Sequence, residues 1–228
     1  MVTIDEALNG FLAEQRERLS PKLLRNCEDV VSLLRSSLNG YAYESLDERE
    51  RKRWETAFDA GDEEAFTQLF GPEKVVEHFG AFLGYFMVRK VMAGQELLRA
   101  SGTVTKKLAA WLYEQGYISE DERADASERG GDAARELPRA ERLGQLLHQE
   151  MEKTPDFDPD DLPDEHWVED FLTIERVEPG QLWFEGGIGP VHVSKKASEL
   201  AEVGWGVNLV LAQLRGEWRI VELGFVYP

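Results

Sequence analysis

Apolar residues recur every three or four positions through the first 151 residues and at every second position from Phe171 onward. The first spacing predicts helices and the second predicts strands. Thr3-x-x-Glu6 has the form of a capping box, and Ile4, Leu8, Phe11 and Leu12 then share one helical face. Ser20-Pro21 predicts a second helix start, continued by Leu23, Leu24, Cys27, Val30, Val31, Leu34 and Leu38 to a stop at Asn39-Gly40. Ser45-x-x-Glu48 predicts the cap of a third helix carrying Trp54 and Phe58, and Gly61-Asp62 the start of a short one with Phe66, Leu69 and Phe70. The stretch after Gly71-Pro72 is the most apolar of the chain, so residues 75–92 read as a central helix wrapped by the others. Gly80 and Gly84 would share one face of it and admit a neighbouring helix. Further helices are expected from near Thr103 to Gly116, from a capping box at Ser119-x-x-Glu122, and over residues 135–151, with a break at Gly130-Gly131.

Residues 152–170 hold nine acids, one base and Pro155, Pro159 and Pro163, a composition that resists regular helix and predicts an acidic linker. The order expected beyond it is β-β-β-α-β-β in 58 residues, with Ser194 capping the helix. That order suits a small OB-type barrel with a helix between its third and fourth strands, or an SH3-like barrel with a helical insertion. The expected fold is therefore α+β: a helical domain (1–151), an acidic linker (152–170) and a small β-barrel (171–228). The final strand, with large apolar groups on both faces and Gly224 as a candidate bulge, is expected to close the barrel.

Charge narrows the function classes. The 228 residues carry 44 acidic and 26 basic side chains, a net charge of −18, which excludes a uniformly basic nucleic-acid coat but not a local basic face. The first residues lack a positive region followed by an apolar run, so no signal peptide is expected. The longest apolar stretch is too short to cross a bilayer. The single cysteine, Cys27, allows no intrachain disulfide and reads as a buried thiol. A cytoplasmic protein is the expectation.

Catalytic patterns are not found. Asp156-x-Asp158-x-Asp160 opens like a calcium loop, but Asp161 stands where glycine is needed and Trp167 where the bidentate carboxylate belongs. None of His78, His148, His166 and His192 lies three or four residues from another, so no helical metal pair forms. Gly186-Gly187-Ile188-Gly189-Pro190 reads as a hairpin loop rather than a phosphate cradle. No metal and no cofactor is expected. Two sets of residues remain as binding candidates. Arg16, Arg18, Lys22 and Arg25 surround the first interhelix turn, and with Lys106 and Lys107 they could contact phosphates. Trp183, Trp205 and Tyr227 lie near the barrel strands and could meet a partner, with packing in the core or on a face buried against the helical half as the favoured alternative; five bases against seven acids from Phe171 on give little support for a nucleic-acid groove.

The stretch Phe11-Leu12…Leu19-Ser20-Pro21-Lys22-Leu23-Leu24-Arg25-Asn26-Cys27…Leu34 resembles the start of the SAM-like core-binding domain of phage integrases and other tyrosine recombinases. That family shows F-L…L-S-P-x-T-x-x-x-Y, and here Leu23 replaces the threonine and Cys27 the tyrosine. The resemblance implies a helical module that approaches nucleic acid. The family's catalytic Arg, Lys, His-x-x-Arg and Tyr set has no counterpart here. The sequence thus favours a non-enzymatic, macromolecule-binding protein whose partner is a protein. The alternatives are a DNA-associated protein using the basic turns near Arg16–Arg25, and an enzyme with an inter-domain site.

Overall fold

A computed structural model describes residues 2–159 and 162–228, so Asp160 and Asp161 of the calcium-like pattern lie outside the described residues. The protein is α+β, helices first and a closed five-stranded barrel last. It divides into two compact units, residues 1–135 and 136–228.

The first unit opens with α1 (Ile4–Arg18), held by the Thr3–Glu6 capping box in which each side chain accepts the other's backbone N–H. α2 (Pro21–Tyr41) passes through Asn39-Gly40 rather than stopping there, because the Asn39 amide exchanges two hydrogen bonds with Thr67, at 3.0 and 3.1 Å. The cap of α3 (Glu48–Asp59) is Asp47 with Glu50, two residues beyond the expected Ser45, which instead ends a 3-10 turn. α4 (Ala65–Leu69) follows Gly61, whose φ of +95° turns the chain.

Residues 75–92 do not form the expected single helix. Residues 72–89 run as short 3-10, α and π turns, with a π segment at Phe82–Phe86. Two adjacent valines and two glycines within ten residues give this stretch little helix propensity, so packing decides its path. Its expected burial holds through Val75, Phe79, Phe82, Leu83, Phe86 and Met87, but Met92 is fully exposed.

α5 (Gln95–Glu114) begins eight residues before Thr103, and Gly116 at φ +76° ends its turn. The Ser119–Glu122 box then starts α6 (Glu120–Met151), which is continuous through Gly130-Gly131 where a break was expected. The close helix approach expected at Gly80 and Gly84 lies here instead. A Cβ on Gly102 of α5 would collide with the backbone of Gly130 and Ala134 in α6. One on Gly130 would sit 2.8 Å from the Gly102 carbonyl oxygen. Gly84 has open space around it, and Gly80 faces the Arg129 guanidinium. Elsewhere in the unit Phe11 meets Trp111 edge-on at 6.0 Å, and the Trp111 indole N–H donates to Glu14 at 2.6 Å.

The second unit contains residues 136–151 of α6 and the barrel. β1 (Trp167–Glu178) starts four residues before Phe171, inside the stretch read as linker. β2 (Gln181–Phe184), β3 (Ile188–His192), α7 (Lys195–Leu200), β4 (Gly206–Leu214) and β5 (Glu217–Tyr227) follow. The strands close in the order β1-β2-β3-β5-β4. All neighbours are antiparallel except β3 and β5, which are parallel at Val191 and Trp218. β5 is therefore the closing strand. The register slips between the Val207–Val226 and Leu209–Leu223 pairs, which places a bulge at Gly224-Phe225 opposite Asn208, and slips again between the Val210–Glu222 and Leu211–Ile220 pairs. Ala140, Leu143, Leu146 and Leu147 of α6 join Leu172, Ile174, Leu182, Phe184, Val207 and Leu209 in one core. Each fully buried Leu or Phe there contributes about 1.5–3 kcal/mol. Among the described residues no helix is long and apolar enough to cross a membrane.

Candidate functional site

The first unit holds a groove of about 450 Å³ between the α1–α2 turn and α5. Its floor is apolar: Leu19, Leu23, Cys27, Ala100 and Val104. Its rim is polar: Asn26, Gln95, Glu96, Arg99, Thr103 and Lys107. Ser20 and Pro21 set the floor, since the chain turns there and presents Leu19 and Leu23 from either side of the turn. Leu23 does not join the buried stripe of α2 expected from its spacing and is 53% exposed. The buried stripe begins at Cys27.

One rim is self-satisfied. Glu96 receives Lys22 Nζ at 2.9 Å and Asn26 Nδ2 at 3.2 Å, and these hydrogen bonds hold its carboxyl below the usual carboxylate range. Arg99 and Lys107 are both exposed, and among the described residues neither has an ion pair. With Thr103 they follow one another at four-residue steps along a single face of α5. Burial pushes the Cys27 thiol up to about 11, against the opposing influence of Lys107. A neutral thiol of that kind packs as a small apolar group and is a poor nucleophile.

The basic candidates separate into two groups. Arg16 is tied to Glu28 at 3.0 Å, Arg18 to Glu14 at 3.2 Å and Lys22 to Glu96. Arg25, Lys106 and Lys107 are exposed and have no ion pair among the described residues, and of these Lys107 lines the groove.

The aromatic candidates of the barrel do not form one surface. Trp205 is 4% exposed and lies in the barrel core beneath the Arg139 guanidinium, 5.4 Å from its ring centre. Arg139 is itself held by Glu202 and by the Leu200 carbonyl oxygen at 3.1 Å. Trp205 is thus a core residue, and of the three aromatic candidates it is the one the barrel buries. Its position between Gly204 and Gly206 gave no periodicity to show which way it faced. Trp183 is half-buried, with Arg176 stacked 3.7 Å from its ring centre. Tyr227 is half-buried against the exposed Phe171, with ring centres 5.2 Å apart, and Phe171 lies across Gly206. His192 is exposed, on the face of β3 opposite the buried Val191.

A second depression of about 350 Å³ lies beside α3, lined by Arg49, Glu50, Arg53, Phe70 and Lys74 among others. Its charges answer one another, with Lys74 on Glu50 at 3.0 Å and both Arg53 and Lys74 against the Phe70 ring. No group of three or more His, Cys, Asp or Glu among the described residues could hold a metal ion.

Arg99, Thr103, Gln95 and the exposure of Leu23 have no local signal in the sequence. The spacing of 99, 103 and 107 gains meaning only when α5 is known to start at Gln95. No family model, no curated protein and no solved structure matches this chain.

Proposed function

We propose that this chain is a non-enzymatic binding protein that works in the cytoplasm and whose partner is another protein, seated on the α2–α5 groove. The observation that carries the reading is Leu23, an exposed leucine in an apolar floor with a polar rim. Interfaces commonly have that arrangement, an apolar centre inside a polar border. The single cysteine, buried and unpaired, supports a reducing compartment. In the barrel, closure of five strands with a helix between β3 and β4 supports the OB-type reading over the SH3-like one.

The DNA-associated reading, and with it the resemblance to recombinase core-binding domains, has less support. Three of the six basic candidates already neutralise carboxylates, and a phosphate would have to displace those partners.

The test uses wild-type protein and Leu23→Glu as immobilised baits, after both are shown to melt alike. A protein retained by wild type and lost by the variant supports the reading. Equal retention removes the groove as the site. A DNA duplex retarded by wild type at low salt, and lost on charge reversal at Arg25 and Lys107, would transfer support to the second reading.

A further inference from the structure

Resting on the protein-binding reading, we infer that the groove takes an acidic amphipathic helix of the partner. Length, polarity and charge each point to that occupant. The α5 wall from Gln95 to Lys107 rises about 18 Å, a little over three helical turns. A helix laid there would bury an apolar stripe on Leu23, Ala100 and Val104, the mode by which amphipathic helices fill hydrophobic grooves.

Charge then sets the pattern on that helix. Arg99 and Lys107 stand about 12 Å apart, two turns of α5, and neither has an ion pair among the described residues. The short Thr103 side chain lies between them and leaves the centre of the wall open. On the facing wall Lys22 and Asn26 are committed to Glu96, and Arg25 of α2 does not line the groove. Carboxylates seven or eight residues apart on the occupant would meet both cations while the residues between them cover the apolar floor.

Residues 1–135 carry 25 acidic and 18 basic side chains, so an acidic ligand gains nothing from long-range attraction. Its affinity must come from contact within a screening length of about 8 Å at physiological salt. A basic ligand would meet favourable charge over much of the surface and the wrong sign at the groove. The two unpaired cations therefore act as specificity elements rather than steering ones.

The experiment selects displayed random 16-residue peptides on full-length wild type and on the Arg99→Glu/Lys107→Glu double variant. Both positions are exposed, and equal melting temperatures confirm that the fold is intact. Wild type should enrich peptides with apolar residues three and four apart and Asp or Glu seven or eight apart. Synthetic copies should turn helical on binding and bind the double variant at least about tenfold more weakly. The double variant should enrich Lys or Arg at the same places. Enriched peptides without acidic bias, or with equal affinity for both proteins, overturn the inference. So does the absence of any enrichment. Saturable binding of decanoate lost in the double variant, with no peptide enriched, would reassign the groove to small amphiphilic acids. If a Leu23→Glu-sensitive protein partner exists but acidic helices are not selected, protein binding stands and the acidic-helix inference alone fails.

Discussion

Gly102 on α5 and Gly130 on α6 meet backbone to backbone. Three observations make this contact a constraint on both positions: a Cβ on either residue runs into main chain, main chain cannot rotate away, and Thr105 fills the remaining gap 3.0 Å from the Gly130 Cβ position.

Gly102→Ala is therefore expected to destabilise the helical unit by about 1–3 kcal/mol, the usual cost of overpacking. Gly84→Ala, with open space around it, should be neutral or add up to about 1 kcal/mol through reduced unfolded-state freedom. Denaturant titration of the two variants checks the contrast. If both behave alike, the α5–α6 contact is not as close as the structure has it.

His78 should give the helical unit a pH dependence. Burial lowers its pKa from the ordinary 6.5, while Ser45 Oγ lies 3.2 Å from Nε2 and the Phe66 ring stands edge-on. Glu77 works the other way and Lys74 adds to the lowering. Below pH 6.5 the unfolded chain takes up a proton that the folded chain refuses, so stability falls as pH drops through that value toward the lower folded pKa. His78→Gln lacks this contribution. The stability of wild type relative to the variant should decline between about pH 7 and 5 in paired denaturant titrations. Parallel curves would mean that His78 titrates normally.

The barrel should depend on the second half of α6. Ala140, Leu143, Leu146 and Leu147 supply part of its core, and Glu150 accepts from the Ser194 N–H. A fragment of residues 136–228 is expected to melt cooperatively, whereas 152–228 should not. A cooperative melt of the shorter piece would show that the strands and α7 suffice.

Cys27 should resist thiol reagents in the native state. It is 1% exposed, and its pKa of about 11 leaves very little thiolate at neutral pH. Labelling by a disulfide reagent should become fast only in denaturant. Rapid native labelling would place the thiol at an open part of the groove.

Residues with local signals were the most legible in the sequence. Thr3, Ser119 and Ser194 cap their helices as their spacing predicts, because capping needs only neighbours within one turn. The strands were legible from alternation, although Trp167–Asp170 hid among acids and prolines. Gly130-Gly131 and residues 75–92 misled because long-range packing overrides propensity there. The groove was half visible: Lys22 and Lys107 were candidates, but nothing local shows that Glu96 occupies one and leaves the other unpaired.

The parallel β3–β5 pair has a consequence for biosynthesis. On a growing chain β3 emerges about 25 residues before its partner, and the barrel stays open along that seam until β5 arrives. During that interval β3 and β4 each present an unpaired edge, and Leu209 and Leu211 lie on a sheet that nothing has yet closed. Chains stalled before Glu217 should be cut by protease within β1–β4, where released chains resist. The last strand to emerge is thus the latch of the barrel, and delay at that step prolongs the period in which neighbouring nascent chains can pair edge to edge.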